Sequence, residues 1–284
     1  MPLVTSRAML LAAREGRYAV GAFNAENMEM VQAIISAAER LQAPVIIQTT
    51  PSTLRYASPA LFAGLAAAAA RHSAVPVALH LDHGDSPALA ARALREGYTS
   101  VMIDGSRLPL DENIALTRPV VEFCEPNGIP VEGELGHVGG KEDDLEDADD
   151  GYTDPDEAER FVKETGVCSL AVGVGTAHGV YAKKPVLNIG LISLLRRRLE
   201  IPLVLHGASG LEDAAVQECI ARGISKVNFA TELRQAYTKA VRALLLEQLE
   251  AFDPKKYGAA ARTAVETLVM ERMRVCGCAG RARD

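Results

Sequence analysis

The chain has 284 residues, enough for one large domain with a sizeable core or for two small ones. Hydrophobic residues make up 48% but aromatics only 5%, and there is no tryptophan, so the core must rest on Val, Ile, Leu and Ala, as in a parallel barrel. A net charge of −7 without any basic block argues against nucleic acid as a partner, and it requires any phosphate site to be built locally from backbone amides and a few side chains.

At the N-terminus, Arg7, Arg14 and Glu15 interrupt every apolar stretch, so no signal peptide is expected there. The first predicted strand, Ala19–Phe23, is followed by an amphipathic helix over Asn27–Arg40 and a strand over Val45–Thr49. Tyr56–Ala70 is apolar and uncharged, but Ser58, Pro59 and Gly64 break it and it is too short to span a membrane, so it is expected to be an Ala-rich packed helix. Strand Val77–Leu81 leads into helix Pro87–Glu96, and strand Ser100–Asp104 into helix Asp111–Asn127. After strand Pro130–Leu135 comes the densely acidic Lys141–Gly151, expected as a solvated loop and, over about 138–152, as a candidate mobile lid. Helix Asp156–Thr165, strand Ser169–Val174, helix Leu191–Arg198, strand Pro202–His206, helix Asp213–Arg222 and strand Ser225–Phe229 complete the series. Gly97, Gly128, Gly166 and Gly223 mark helix ends, and Ala260–Met273 predicts a further helix before a Gly- and Arg-containing tail. Eight apolar strands alternating with helices indicate a closed (β/α)8 barrel rather than an open doubly wound sheet. The whole chain, 1–284, is expected to form one such domain, with 254–284 as a C-terminal helical extension.

The chemistry gathers at strand ends. Four of the six histidines close apolar runs beside Gly or Asp: His80 and His83 in Val77-Ala-Leu-His-Leu-Asp-His-Gly84, His178 in Leu170-Ala-Val-Gly-Val-Gly-Thr-Ala-His-Gly179, and His206 in Pro202-Leu-Val-Leu-His-Gly207. The C-terminal strand ends of such a barrel converge on one face, and three imidazoles meeting there with a fourth position open describe a catalytic zinc site. His83, His178 and His206 are the expected ligands, with His80 as a supporting or packing residue. Asp82 shares a strand face with His80 and adjoins a ligand, which makes it the acid/base candidate. His72 is expected on a helix surface and His137 in a loop. Glu132 and Glu134 share one face of the fifth strand, where inward carboxylates in an apolar strand need partners that a metal network would supply.

Gly173–Gly179 superficially matches a dinucleotide fingerprint, but His178 stands where the third glycine belongs and no acidic residue follows the next strand, so NAD binding is rejected. Gly179, His206–Gly210 and Asn228–Thr231 instead cap strands six to eight, where barrels bind phosphate through backbone amides. Five cysteines at irregular spacing fit a reducing compartment better than a disulfide framework, and Cys276-Gly-Cys278 does not have zinc-ribbon spacing.

At these residues the chain resembles the class II, zinc-dependent ketose-bisphosphate aldolases, in particular the tagatose-bisphosphate enzymes. The resemblance runs end to end through Tyr18-Ala-Val-Gly-Ala-Phe-Asn24, His80–Gly84, Glu132-Gly-Glu-Leu-Gly136, Gly139-Gly-Lys-Glu-Asp143, Gly175–Gly179, His206–Ser209 and Val227-Asn-Phe-Ala-Thr-Glu232. It implies zinc on His83, His178 and His206, with Glu134 close to the metal as a second-layer or alternate ligand. It implies Asp82 as the acid/base at the substrate C4 hydroxyl and Glu142 as the residue that moves a proton at the nucleophilic carbon. Asn24, Thr50, Gly179, Gly207, Ala208, Ser209, Asn228, Phe229, Ala230 and Thr231 are the implied substrate contacts, most of them cradling the dihydroxyacetone-phosphate half. Ser52 and Arg55 leave the aldehyde-phosphate end unassigned. The motifs Thr-Ala-His-Gly and His-Gly-Ala-Ser, together with the tail Val275–Arg281, look more tagatose-like, so the expected reaction is reversible cleavage of D-tagatose 1,6-bisphosphate to dihydroxyacetone phosphate and D-glyceraldehyde 3-phosphate. Fructose 1,6-bisphosphate is the alternative.

Two competing readings belong to other classes. A Schiff-base aldolase needs a desolvated lysine, and Lys226, the one lysine in a predicted strand, is expected at that strand's outer edge. A barrel serving only as a partner subunit would have lost catalytic groups, and none is visibly missing. The resemblance further implies a monovalent cation (Na+ or K+) near the phosphate, a homodimer or homotetramer, and in some relatives an accessory subunit. A cytoplasmic protein binding a phosphorylated ketose, with no membrane partner, is the expectation.

Overall fold

A computed structural model describes residues 3–142, 145–147, 151–179, 181 and 185–283, the side chains of 140–142 and 145–147 excepted. The predicted strands form as β1 (Val20–Asn24), β2 (Val45–Thr49), β3 (Val77–Gly84), β4 (Ser100–Ile103) and β5 (Val131–Leu135). After two short strands, β6 (Gly139–Glu142) and β7 (Leu145–Asp147), come β8 (Ser169–Val172), β9 (Ala177–His178), β10 (Leu203–Leu205) and β11 (Ile224–Phe229). Eight of these close into a parallel barrel in the order β1-β11-β10-β8-β5-β4-β3-β2, the (β/α)8 arrangement the sequence predicts.

Helices cover the outside at the expected places. Asn27 caps the Met28–Leu41 helix by accepting from the Met30 N–H (3.0 Å), and Asp154 caps Pro155–Thr165 by accepting from Asp156 and Glu157. Three helices were not singled out by the sequence pattern: Ser6–Gly16, Pro51–Tyr56 and Thr231–Glu247. The first packs at the barrel floor, where Ser6 Oγ meets Ser100 Oγ at 2.8 Å. The C-terminal helix is longer than predicted, Pro254–Cys276, and packs against Met28–Leu41 and Thr231–Glu247. His72 lies exposed in the turn just after the Pro59–Ala70 helix, not on it. Among the described residues no helix is long and apolar enough to cross a membrane.

Alternation along the strands divides the polar from the apolar. Gly133, between Glu132 and Glu134, points outward, where a Cβ would lie 2.7 Å from the Phe161 ring, so only glycine lets that helix seat so closely. Inside, Met102, Ala171 and Val204 form a small apolar layer of their own. The acidic stretch is not the plain loop expected. β6 and β7 pair antiparallel, and β6 also runs parallel to β9, with Gly139 opposite Ala177 and Gly140 opposite His178. This three-stranded sheet holds one candidate ligand, His178, within its ladder.

Candidate active site

Three histidines meet at the C-terminal mouth of the barrel. Their ring centroids are 4.6 Å (His83–His206), 5.2 Å (His83–His178) and 6.0 Å (His178–His206) apart, with the rings edge to face. One nitrogen from each lies within 4.8 Å of the others. Each arrives by a different device. In β3 the ladder with β4 shifts register between Leu81 and Gly84, and His83 takes a left-handed backbone (φ 46°), so that Asp82 and His83 both serve the mouth although they are consecutive. His206 follows β10 directly. His178 is brought in because Gly207 (φ 66°) has no side chain: a Cβ there would sit 2.6 Å from the Ala177 carbonyl oxygen. Tyr181 fixes that crossing, its hydroxyl accepting from the Ala177 N–H (2.8 Å) and donating to the Gly207 carbonyl (2.7 Å).

The hydrogen bonds decide which nitrogens are bare. His83 Nδ1 lies 2.7 Å from Asp104 Oδ2, and His206 Nε2 lies 3.0 Å from Glu132 Oε1. A carboxylate can only accept, so both of these ring nitrogens carry the proton. That leaves His83 Nε2 and His206 Nδ1 facing each other at 2.9 Å, and with both rings neutral they meet lone pair to lone pair. Two neutral imidazoles in that pose repel unless a cation lies between them, and this donor set fits a zinc ion. Glu134 Oε2 is 3.8 Å from His83 Nδ1 and 3.8 Å from His206 Nδ1, close enough to serve as an alternate carboxylate.

Electrostatics support the same protonation pattern. Burial alone would push the Asp104 carboxyl up, but the His83 hydrogen bond outweighs it and holds the group well below the usual carboxylate range. Burial acts likewise on Glu132 and is overcome by the Lys226 ammonium and the His206 bond. Burial lowers His206, against the pull of Glu132, and lowers His80, with Lys226 acting in the same direction.

Asp82 is almost fully buried and receives three amide hydrogens: Asn24 Nδ2 at 2.8 Å and Gln48 Nε2 at 3.1 Å on Oδ2, and Asn228 Nδ2 at 3.1 Å on Oδ1. Gln48 also donates to Asn24 Oδ1 (2.7 Å), so the three strands β1, β2 and β11 hold the carboxylate as one unit. The same Asn228 nitrogen lies 3.1 Å from His206 Nε2, so the amide that serves Asp82 also packs beside that imidazole, whose proton is committed to Glu132.

Two cavities open here. A small one is lined by Asn24, Gly179, Gly207, Ser209, Asn228, Ala230 and Thr231, all expected as substrate contacts, with His178. Arg234 lines it as well. Its Nε donates to Glu26 (2.7 Å), and it stands in the first turn of the 17-residue Thr231–Glu247 helix, whose N-terminus favours an anion. Ala208 and Phe229 are buried and line neither cavity; the Phe229 ring stacks on Phe23 at 5.5 Å. The larger cavity, about 550 Å³, runs from His83, Glu134 and His178 past Thr50, Ser52 and His137 to Arg55 and Arg107. His137 lies in a backbone bridge with Gly151, not in a free loop. Glu142 sits on β6 by its backbone, and its side chain lies outside the described residues.

Lys226 is not at an outer edge. It is fully buried inside the barrel, its Nζ 2.8 Å from Glu132 Oε2 on a strand across the interior and 3.4 Å from His80 Nε2. Strand alternation contained that signal, since Lys226 and Asn228 are two apart on β11 and share a face. Asp104, Gln48, Tyr181 and Arg234 make contacts at the site that the sequence pattern does not assign to them. Asp104 and Gln48 were visible as polar residues at or near the ends of apolar strands, whereas the tertiary partners of Tyr181 and Arg234 leave no local pattern.

Comparison with known proteins agrees with this fold. Residues 4–281 match the family described as fructose-bisphosphate aldolase class II. The chain is 37% identical to the YdjI aldolase of Escherichia coli K12 over 99% of its own length and 100% of the other, with a TM-score of 0.89. It is 32% identical to a candidate fructose-1,6-bisphosphate aldolase from Coccidioides immitis, covering 97% and 96% of the two chains, with a TM-score of 0.89. A fructose-bisphosphate aldolase from Campylobacter jejuni shares the fold at 20% identity and a TM-score of 0.83, covering 98% and 96%.

Proposed function

The chain belongs to the class II fructose-bisphosphate aldolase family of carbon–carbon lyases, and from that premise we propose that it is a zinc-dependent aldolase cleaving a ketose bisphosphate, D-tagatose 1,6-bisphosphate in preference to its C4 epimer D-fructose 1,6-bisphosphate. The observation that carries the metal reading is the pair of bare nitrogens, His83 Nε2 and His206 Nδ1, facing each other beside His178. Zinc held by these three residues would act as a Lewis acid on the substrate's C2 carbonyl and C3 hydroxyl.

The chain's own groups do the rest. The phosphate next to the dihydroxyacetone half would bind among Gly179, Gly207, Ser209 and Thr231, at the N-terminus of the Thr231–Glu247 helix and beside Arg234. Asn24 and Asn228 reach from that cradle to Asp82, which fixes the distance between the anchored phosphate and the carboxylate. Asp82 takes the proton of the C4 hydroxyl, the C3–C4 bond breaks, the aldehyde product leaves and the electron pair remains at C3. A proton returned to C3, with Glu142 as the proposed donor, completes dihydroxyacetone phosphate. Because the two sugars differ only in configuration at C4, the discriminating contacts must lie near Asp82 and along the large cavity.

The tagatose preference rests on the sequence motifs, Thr-Ala-His-Gly and His-Gly-Ala-Ser among them. The fructose reading is favoured by the family description and by relatives so described. Initial rates on both bisphosphates, with and without chelator, decide between them. A tenfold preference corresponds to about 1.4 kcal/mol of transition-state discrimination and assigns the sugar. Cleavage insensitive to chelator would overturn the metal mechanism. Zinc-loaded protein inert towards both sugars would move the assignment to another phosphorylated ketose or to a partner subunit.

A further inference from the structure

A lysine buried in a barrel interior needs a reason, because an uncompensated ammonium there is costly. Lys226 lines neither cavity, so it is not placed to meet substrate, and its nitrogen is engaged with Glu132 and His80. It belongs to a continuous polar chain that climbs from the barrel floor to the histidines. Ser6 Oγ meets Ser100 Oγ at 2.8 Å, and Ser100 meets His80 Nδ1 at 2.8 Å. His80 Nε2 lies 3.4 Å from Lys226 Nζ, which donates to Glu132 Oε2 at 2.8 Å, and Glu132 Oε1 meets His206 Nε2 at 3.0 Å.

We propose that Lys226 is a positioning residue for the metal-binding histidines: by holding Glu132 Oε2 it aims Oε1 at His206 Nε2, which leaves His206 Nδ1 bare and turned towards His83 and His178. The inference rests on the zinc reading above and extends it to a residue that touches neither metal nor substrate. Its logic is geometric. Glu132 has two oxygens and two principal partners on opposite sides, Lys226 across the barrel and His206 above, with Ser169 Oγ more distant at 3.5 Å from Oε2. Without the ammonium, no group among the described residues but that serine restrains Oε2 within hydrogen-bond distance, and the carboxylate can turn away from His206. His206 is then free to carry its proton on Nδ1, the form that cannot bind a metal through that atom. His80 has the matching role for Lys226. Its Nδ1 faces the Ser100 hydroxyl, so its Nε2 is available as an acceptor for the ammonium.

The test is zinc affinity, measured by competition with a chromophoric chelator on wild type, Lys226→Met, Glu132→Gln and the double variant, alongside melting of each metal-free protein. Lys226→Met should bind zinc about 10- to 100-fold more weakly, the usual loss when a residue orienting a ligand is removed. Because Lys226 acts through Glu132, the double variant should bind no more than about twofold more weakly than Glu132→Gln alone. The double variant also carries no unpaired buried charge, so it keeps the comparison open if Lys226→Met folds poorly. The proposal is overturned if Lys226→Met binds zinc within twofold of wild type, or if removing Lys226 costs its full factor again in the Glu132→Gln background. A wild-type protein that takes up no zinc would instead remove the metal reading on which the proposal stands.

Discussion

Asp82 sits among three amide donors and within reach of none of the ring nitrogens as a direct partner, so its removal should separate chemistry from metal binding. Asp82→Ala is expected to retain zinc while cleavage falls by about 10²–10⁴-fold, read as kcat alongside metal content. His83→Ala and His206→Ala should lose both together, and metal analysis after gel filtration distinguishes the two patterns. These residues were legible in the sequence because histidine and aspartate are conspicuous when they end apolar runs. Lys226 was misplaced for the opposite reason. Its charge suggested solvent, whereas the two-residue period of β11, which also carries Asn228, puts it inside. Which oxygen meets which nitrogen, and hence which imidazole face is bare, depends on contacts between strands that are not neighbours, and no single-strand pattern encodes that.

At the scale of elements, the strands were legible to within a few residues because the barrel buries them on both faces, giving continuous apolar runs. The β6–β7 hairpin was not, because a dense acidic composition masks strand pairing. The Ala177–Gly207 crossing sets the third histidine, and Gly207→Ala tests it. The added methyl meets the Ala177 carbonyl in a backbone conformation side chains disfavour, so the variant should lose about 1–3 kcal/mol of stability and at least tenfold in zinc affinity. Three helices meet elsewhere around Glu232. Arg272 turns to Asp213 (2.8 Å) and stays 3.9 Å from Glu232. Burial, with Asp213 and Glu271 nearby, raises the Glu232 carboxyl to about 7 despite Arg272. A carboxyl with a raised folded-state pKa favours folding while protonated, so this contribution is intact below about 4.5 and is lost as pH rises to about 7. Glu232→Gln should flatten that part of the stability–pH curve. Above pH 7 it should gain about 1–2 kcal/mol after allowance for partial solvent exposure, as read from urea midpoints across the range.

For the whole molecule, the polar chain through the barrel ties opposite strands together below the mouth, and the metal would tie three more segments above it. Binding only to the folded state stabilises by mass action, so zinc at 100-fold over its dissociation constant should add about 2.7 kcal/mol. That corresponds to a melting rise of roughly 4–5 °C over the chelated protein, which scanning calorimetry would register. No rise would mean that the three histidines do not form a site. The shift of register in β3 has a further consequence. Asp82 and His83 are neighbours joined by one peptide unit, so the spacing between the proposed proton acceptor and the proposed metal ligand is set largely by covalent bonds. The loops around the large cavity can therefore be exchanged, lengthened or recharged without that spacing drifting, and a new sugar can be accommodated by editing the walls of the site while its reactive pair is inherited intact.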